Sequence, residues 1–168
     1  ANIMKIMPDG SSSFFANVGT DPRGITGDES GNLYISHNRE DGRITKITPD
    51  GSVSILTTIP TFIPPFYVLT YIMWVGYIVY HDNFIYVAGL STDRIYKVSL
   101  EGEVEVFAGS GTRGIPRGGV LTANLNRPIG LVFSKDGKSL FVSGSTDTTP
   151  QHTQASTPAR IWEIKIVE

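Results

Sequence analysis

The chain contains no cysteine. That absence removes disulfides, thiolate metal sites and cysteine nucleophiles together, and it leaves the redox compartment open. Charge is scarce as well: 18% of the 168 residues are charged and the formal net charge is −2. Such a balance gives no grip on nucleic acid or an anionic membrane. The most apolar run, Phe66–Tyr80, is interrupted by Thr70 and Gly76 and is too short for the roughly 20 residues of a membrane helix. Its β-branched and aromatic content suits strands. Ala1–Gly10 has a lysine but no apolar core of a signal peptide, so the chain reads as soluble with its compartment unset. Also missing are Gly-x-Ser-x-Gly, His-Glu-x-x-His, a phosphate loop and any Ser/His/Asp order. Gly109–Gly114 imitates a glycine-rich nucleotide loop, but no helix pattern follows it.

What is present points to strands. Eighteen glycines and ten prolines punctuate runs rich in Val, Ile, Tyr, Phe and Thr. With 40% hydrophobic residues over one domain's length, the chain can bury a core. Ile-x-Lys-Ile-x-Pro-Asp-Gly occurs at Ile3–Gly10 and again at Ile44–Gly51. Ile95–Gly102 is a looser copy and Ile161–Glu168 a degenerate one. Recurrence at such a period marks a repeat architecture.

Each unit holds four strand-like runs, here A to D. In the second unit these are Gly24–Thr26, Leu33–Ser36, Arg43–Ile47 and Ser52–Leu56. The third unit runs Gly76–Val79, Phe84–Ala88, Arg94–Val98 and Glu103–Phe107; the fourth runs Gly130–Phe133, Ser139–Ser143 and Arg160–Ile164. Gly24, Gly76 and Gly130 each precede by 7 residues the turn position held by Gly31, Asn83 and Gly137. Alternation of apolar and polar residues in C and D is the period of half-buried strands. The Pro-Asp-Gly between them is a hairpin turn, with Pro presetting φ and Gly accepting a positive one.

Pro22–Ile25, Gly31–Ile35 and Arg43–Gly51 resemble one NHL-type repeat. Arg127–Val142 resembles a blade of the gluconolactonase/senescence-marker-protein group. The resemblance implies an all-β fold, a β-propeller whose blades are four-stranded antiparallel meanders. It covers most of the chain apart from about 57–74 and 145–159. It says more about fold than about function, because propellers host many unrelated activities. The expected division is a partial leader blade at 1–19, blades at 20–58 and 75–109, an apolar insert at 59–74, and a blade without its last strand at 127–168. Propellers close with about 4–8 blades. About three blades per chain lead to a six-bladed ring completed by a homodimer, the N-terminal segment of one copy lending strand D to the last blade of the other. The alternative reading is a portion of a longer propeller or a short open array.

In such a meander the A–B and C–D turns lie at one end, and the B–C loops and interblade connections at the other. The long segments Thr57–Val75, Gly109–Pro128 and Gly144–Ala159 all fall at the second end, which is therefore the expected binding face. Phe62, Phe66, Tyr67, Tyr71 and Trp74 suit either a ligand pocket or a subunit contact. Ser145–Thr157 has the composition of a flexible polar loop, merely mobile or acting as a lid.

The gluconolactonase resemblance implies a divalent metal in the central channel, held by acidic or amide residues just before the Gly of strand A. Here those positions carry Arg23, Val75 and Ile129, which cannot ligate Ca²⁺ or Zn²⁺. No cofactor is therefore expected, unless Asp21 or Asp93 supplies a relocated ligand. Arg23 either faces the channel mouth, where it favours an anion, or pairs with Asp21 or Asp28. Of the three histidines, His81 sits in an A–B turn and His152 in the polar loop. His37, after strand B, is the catalytic candidate if there is one, against the plainer reading of a solvated loop histidine. The expected ligand contacts are Arg23, His37, Tyr67, Trp74 and Arg113. The expected function is a propeller binding module for a small organic or anionic ligand or a protein partner. The alternative is a lactonase-like hydrolase or lyase.

Overall fold

The computed structural model describes residues 1–38, 42–60, 75–114, 118–144 and 160–166. Within them the chain is all-β, without a helix, and every strand pairing is antiparallel. A hairpin of β1 (Asn2–Ile6) and β2 (Ser12–Asn17) comes first. A four-stranded meander follows: β3 (Pro22–Gly27), β4 (Leu33–His37), β5 (Arg43–Ile47) and β6 (Val53–Thr58). The next comprises β7 (Val75–His81), β8 (Phe84–Gly89), β9 (Arg94–Ser99) and β10 (Val104–Ala108). The last sheet has three strands, β11 (Pro128–Phe133), β12 (Ser139–Gly144) and β13 (Arg160–Lys165). The two four-stranded sheets are blades in sequence order, A to D; the last sheet supplies A to C and the hairpin only C and D.

The C–D turns are fixed locally. In Pro8-Asp9-Gly10 the Asp9 carboxylate accepts from the Ser11 amide at 2.9 Å and its hydroxyl at 2.7 Å, while Gly10 takes a φ of +83°. Asp50 repeats the arrangement with Thr48 and Ser52. In the A–B turn before β12, Asp136 is held by Ser134 and the Lys138 amide. Hydrogen bonding to the charged form, the hydroxyl contacts first, lowers the pKa of all three carboxyls.

Blades meet face to face over apolar layers. Tyr34 and Ile44 of the β3–β6 blade bury with Val75, Ile78, Ile85, Val87 and Val98 of the next. Tyr86, Ala88 and Ile95 bury with Leu140 and Val142 of the last, and the Tyr86 ring meets Phe133 edge-on at 4.8 Å. The hairpin lies over Ile35 and Ile47 through Ala16 and Val18. Close approach of the inner strands explains two of the strand-A glycines. A Cβ on Gly24 would stand 3.0 Å from Cα of Tyr77, and one on Gly76 would stand 2.7 Å from the Ile129 carbonyl oxygen. The Ser36 hydroxyl locks the first of these junctions. It accepts from the Gly24 amide at 3.0 Å and donates to the Gly76 carbonyl at 2.9 Å.

Candidate functional site

The end of the sheets that carries the B–C loops and interblade connections gathers six arginines among the described residues: Arg23, Arg43, Arg94, Arg113, Arg127 and Arg160. Arg23 lies on the innermost strand β3, and its guanidinium sits 5.9 Å over the ring of Tyr77 on the neighbouring inner strand β7. Tyr77 is 47% exposed, although it stands between buried neighbours on its strand. A cation over an accessible aromatic face is a recognisable binding feature. The sequence offered Asp28 as a partner for Arg23, but Asp28 is occupied at the opposite, turn end. Its carboxylate accepts from Asn32 Nδ2 at 2.8 Å and from the Tyr34 hydroxyl at 2.9 Å.

Arg113 is drawn inward. Its Nε donates to the buried carboxylate of Asp93 at 3.3 Å, and the Arg127 amide donates to the other oxygen at 2.8 Å. Burial raises the Asp93 pKa and outweighs the lowering by these donors. With both oxygens engaged, Asp93 is a strut between the third blade and the start of the fourth. It holds Arg127 at a φ of +48°, immediately before β11. That role leaves it poorly placed as a relocated metal ligand.

His37 requires a correction. The sequence reading made it either a catalytic and ligand-contact candidate or a solvated loop histidine; it is not in a solvated loop but is the last residue of β4 and fully buried. Nδ1 lies 2.8 Å from the Thr20 carbonyl, which can only accept, so Nδ1 carries the proton. Nε2, 2.9 Å from the Thr45 hydroxyl, then accepts. The strand registers give the reason. His37 is equivalent to Gly89 and Gly144, and Thr45 to Tyr96 and Trp162. In the other two blades the large ring covers the glycine: a Cβ on Gly89 would lie 2.7 Å from Tyr96, and one on Gly144 2.5 Å from Trp162. In this blade the ring volume is moved from strand C to strand B. His37 thus fills the space of a core aromatic, with both nitrogens satisfied.

Val75 is buried at the start of β7 and Ile129 lies on β11; with Arg23 they present no metal-ligating atom at the three positions ahead of the strand-A glycines. Among the described residues no group of three His, Cys, Asp or Glu is close enough to hold a metal ion. His81 stacks on Phe133 at 4.0 Å, at the turn end. Tyr67, Trp74 and His152, and the segments around them, lie outside the described residues. Tyr77 was not anticipated as a site residue. By sequence spacing it aligns with Ile25 and Leu131, but an extra residue in the bulge of β7 sets Ile78 at their level and leaves Tyr77 beside the bulge, which spacing alone did not reveal.

No family model matches the sequence, and no curated protein matches it either. Solved structures do. A virginiamycin B lyase from Staphylococcus aureus superposes with a TM-score of 0.58 at 18% identity, over 98% of this chain and 48% of its own. A Xanthomonas campestris gluconolactonase gives 0.61 at 14%, over 98% and 44%. A chain of a nidogen/laminin complex gives 0.59 at 15%, over 89% and 51%. This chain therefore spans about half the length of each. At such identities the likeness is one of fold: the chain is a β-propeller protein, made of the blades that NHL-repeat and gluconolactonase propellers share. Among the described residues no helix is long and apolar enough to cross a membrane.

Proposed function

We propose that this chain is a ligand-binding propeller module whose loop-rich face and channel mouth take a small organic anion, without turnover. The observation that carries the reading is the Arg23 guanidinium over the accessible ring of Tyr77, on two adjacent inner strands. A planar carboxylate meets charge from Arg23 and a stacking surface from Tyr77. Arg113, fixed by Asp93, adds positive potential at the same end. Fold neighbours with lactonase and lyase names keep an enzyme as the rival, and a neighbour from the nidogen/laminin complex is a precedent for interaction by this fold. The ring that presents the site is six-bladed and closed by a second copy of the chain.

The test is calorimetry with benzoate and 4-hydroxybenzoate beside their neutral amides. Carboxylates are expected to bind and amides not, with the signal lost in Arg23→Gln and reduced in Tyr77→Ala. Equal binding of the amides, or an unchanged Arg23→Gln, removes the reading. Turnover of a lactone panel on addition of Ca²⁺ would move the protein to the enzyme class.

A further inference from the structure

The two ends of the blade array carry complementary half-open faces. On the β11–β13 blade the side turned away from the array presents Gly130, Val132, Phe141, Ser143 and Ile161. Register makes these the equivalents of Gly24, Thr26, Tyr34, Ser36 and Ile44, and the last four of them the equivalents of Val79, Tyr86, Ala88 and Ile95. Tyr34, Ile44, Tyr86 and Ile95 are buried beneath a following blade, and Val79 is partly buried there. Val132 and Ile161, by contrast, are 58% and 75% exposed. The Ser143 hydroxyl accepts from the Gly130 amide at 3.0 Å, as Ser36 does from Gly24, and among the described residues it has no acceptor for its own proton.

At the other end, the β3–β6 blade is covered only over its outer half. The β1–β2 hairpin occupies positions C and D there, and the Phe15 carbonyl lies 2.9 Å from where a Cβ on Gly51 would stand. Leu56 stands to Gly102 in the same way at the next junction. Among the described residues no strand takes positions A and B of that blade. Ile25 on β3 is 54% exposed, and a cleft of about 270 Å³ lined by Ile3, Met4, Lys5, Phe15, Leu33 and Pro49 opens beside β1, where a strand B would run.

We infer that the open face of β11–β13 seats on the β3–β4 face of a second copy of this chain, with β13 taking the place that β1 holds in the free chain. The inference rests on the ring-closure reading and names its interface. Both β1 and β13 are C strands of the same repeat, so one position cannot hold both. β1 is the weaker occupant: only Ile3 is partly buried, and the other four residues are exposed. β13 arrives with β11 and β12 attached. It covers Ile25 and Leu33 of the partner copy while burying Val132, Phe141 and Ile161. The Ser143 hydroxyl then donates to the carbonyl of Arg23 in that copy, repeating the Ser36–Gly76 bond. β1 serves as a placeholder strand, shielding the edge of β2 until the exchange.

Light scattering at micromolar concentration and hydrogen exchange on the intact chain test this together. The expected result is a dimer in which β13 amides gain protection and β1 amides lose it. Ile161→Arg, exposed in the free chain, should leave the fold intact and abolish association. Ser143→Ala should weaken association by roughly fivefold, the worth of one hydrogen bond, and Ile3→Asn should strengthen it by loosening β1. A dimer with unchanged exchange in β1 and β13, or one indifferent to Ile161→Arg, overturns this interface and leaves ring closure by another contact. A monomer at every concentration overturns both, and the anion calorimetry of Arg23→Gln stands apart from either outcome.

Discussion

In the β3–β6 blade Tyr34 and Ile44 are fully buried; in the β11–β13 blade their equivalents Phe141 and Ile161 are partly and largely exposed. The side chains are close to identical and the strands carry the same register. Only the neighbour differs. Burial in a repeat array is therefore a property of the junction, not of the repeat, and stability should follow junctions as nearest-neighbour terms. Substitution can separate the two faces. Ile44→Ala removes a methylene-rich side chain from a closed layer and should cost about 3 kcal/mol. Ile161→Ala removes one from a face open to water and should cost less than about 0.5 kcal/mol in dilute, unassociated protein. Urea denaturation of the pair measures both; equal losses would mean that the last blade is already covered.

The inner-strand glycines set the next contrast. A Cβ on Gly76 would stand 2.7 Å from the Ile129 carbonyl and 2.9 Å from Ala88 Cβ, so backbone would have to move. Gly130 would meet only the Ser143 hydroxyl, at 2.8 Å, and a hydroxyl can rotate away. Gly76→Ala is expected to cost about 2–3 kcal/mol as overpacking at a closed junction, and Gly130→Ala about 1 kcal/mol. If Gly130→Ala costs as much in the dilute protein, the junction account fails.

The blade core of His37 and Thr45 can be exchanged for that of its neighbours. His37→Gly alone leaves a ring-sized hole and should lose about 2–3 kcal/mol. Thr45→Tyr alone is expected to be of similar size, because two rings compete for one space. Together they rebuild the Gly89–Tyr96 arrangement, and the double-mutant cycle should return about 1–2 kcal/mol of favourable coupling. Simple additivity would show that His37 does something other than fill the core.

Much of the architecture is written in the repeat itself. Spacing from Gly24, Gly76 and Gly130 to their turns placed strands A and B, and Pro-Asp-Gly placed C and D. It could not say which faces are covered, because Tyr34 and Phe141 look alike until something sits on one of them. The site was less legible for a related reason. Residues such as His37, Asp93 and Tyr77 differ from their equivalents, and their roles depend on what the equivalent position holds in the other blades. Read alone, His37 among Asn38, Arg39, Glu40 and Asp41 suggests a polar loop; read against Gly89–Tyr96 and Gly144–Trp162, it is a core ring in an unusual place. Asp93 hid its role because its partners, Arg113 and the Arg127 amide, lie beyond a connection of unpredictable shape.

A smaller contrast concerns the one atom by which Tyr34 differs from Phe141. The Tyr34 hydroxyl donates to Asp28 at 2.9 Å. Burial of Asp28 raises its pKa, but Asn32, Tyr34 and two backbone amides outweigh that, and the net shift is downward. For Tyr34, burial and then the Asp28 bond push the pKa upward, so the phenol stays protonated near neutrality and donates to the Asp28 carboxylate, which can only accept. Tyr34→Phe gives this blade the chemistry of the last one and should cost about 1 kcal/mol at neutral pH. A depressed carboxyl pKa contributes stability that is present above the unfolded value, near 3.8, and is lost as pH falls through the folded value. The gap between wild type and Tyr34→Phe should therefore be constant from neutrality down to the unfolded value and narrow below it, as Asp28 takes up its proton. A gap that widens with acid would mean that the hydroxyl serves the neutral acid better than the carboxylate, and that Asp28 is not what holds Tyr34 at this junction.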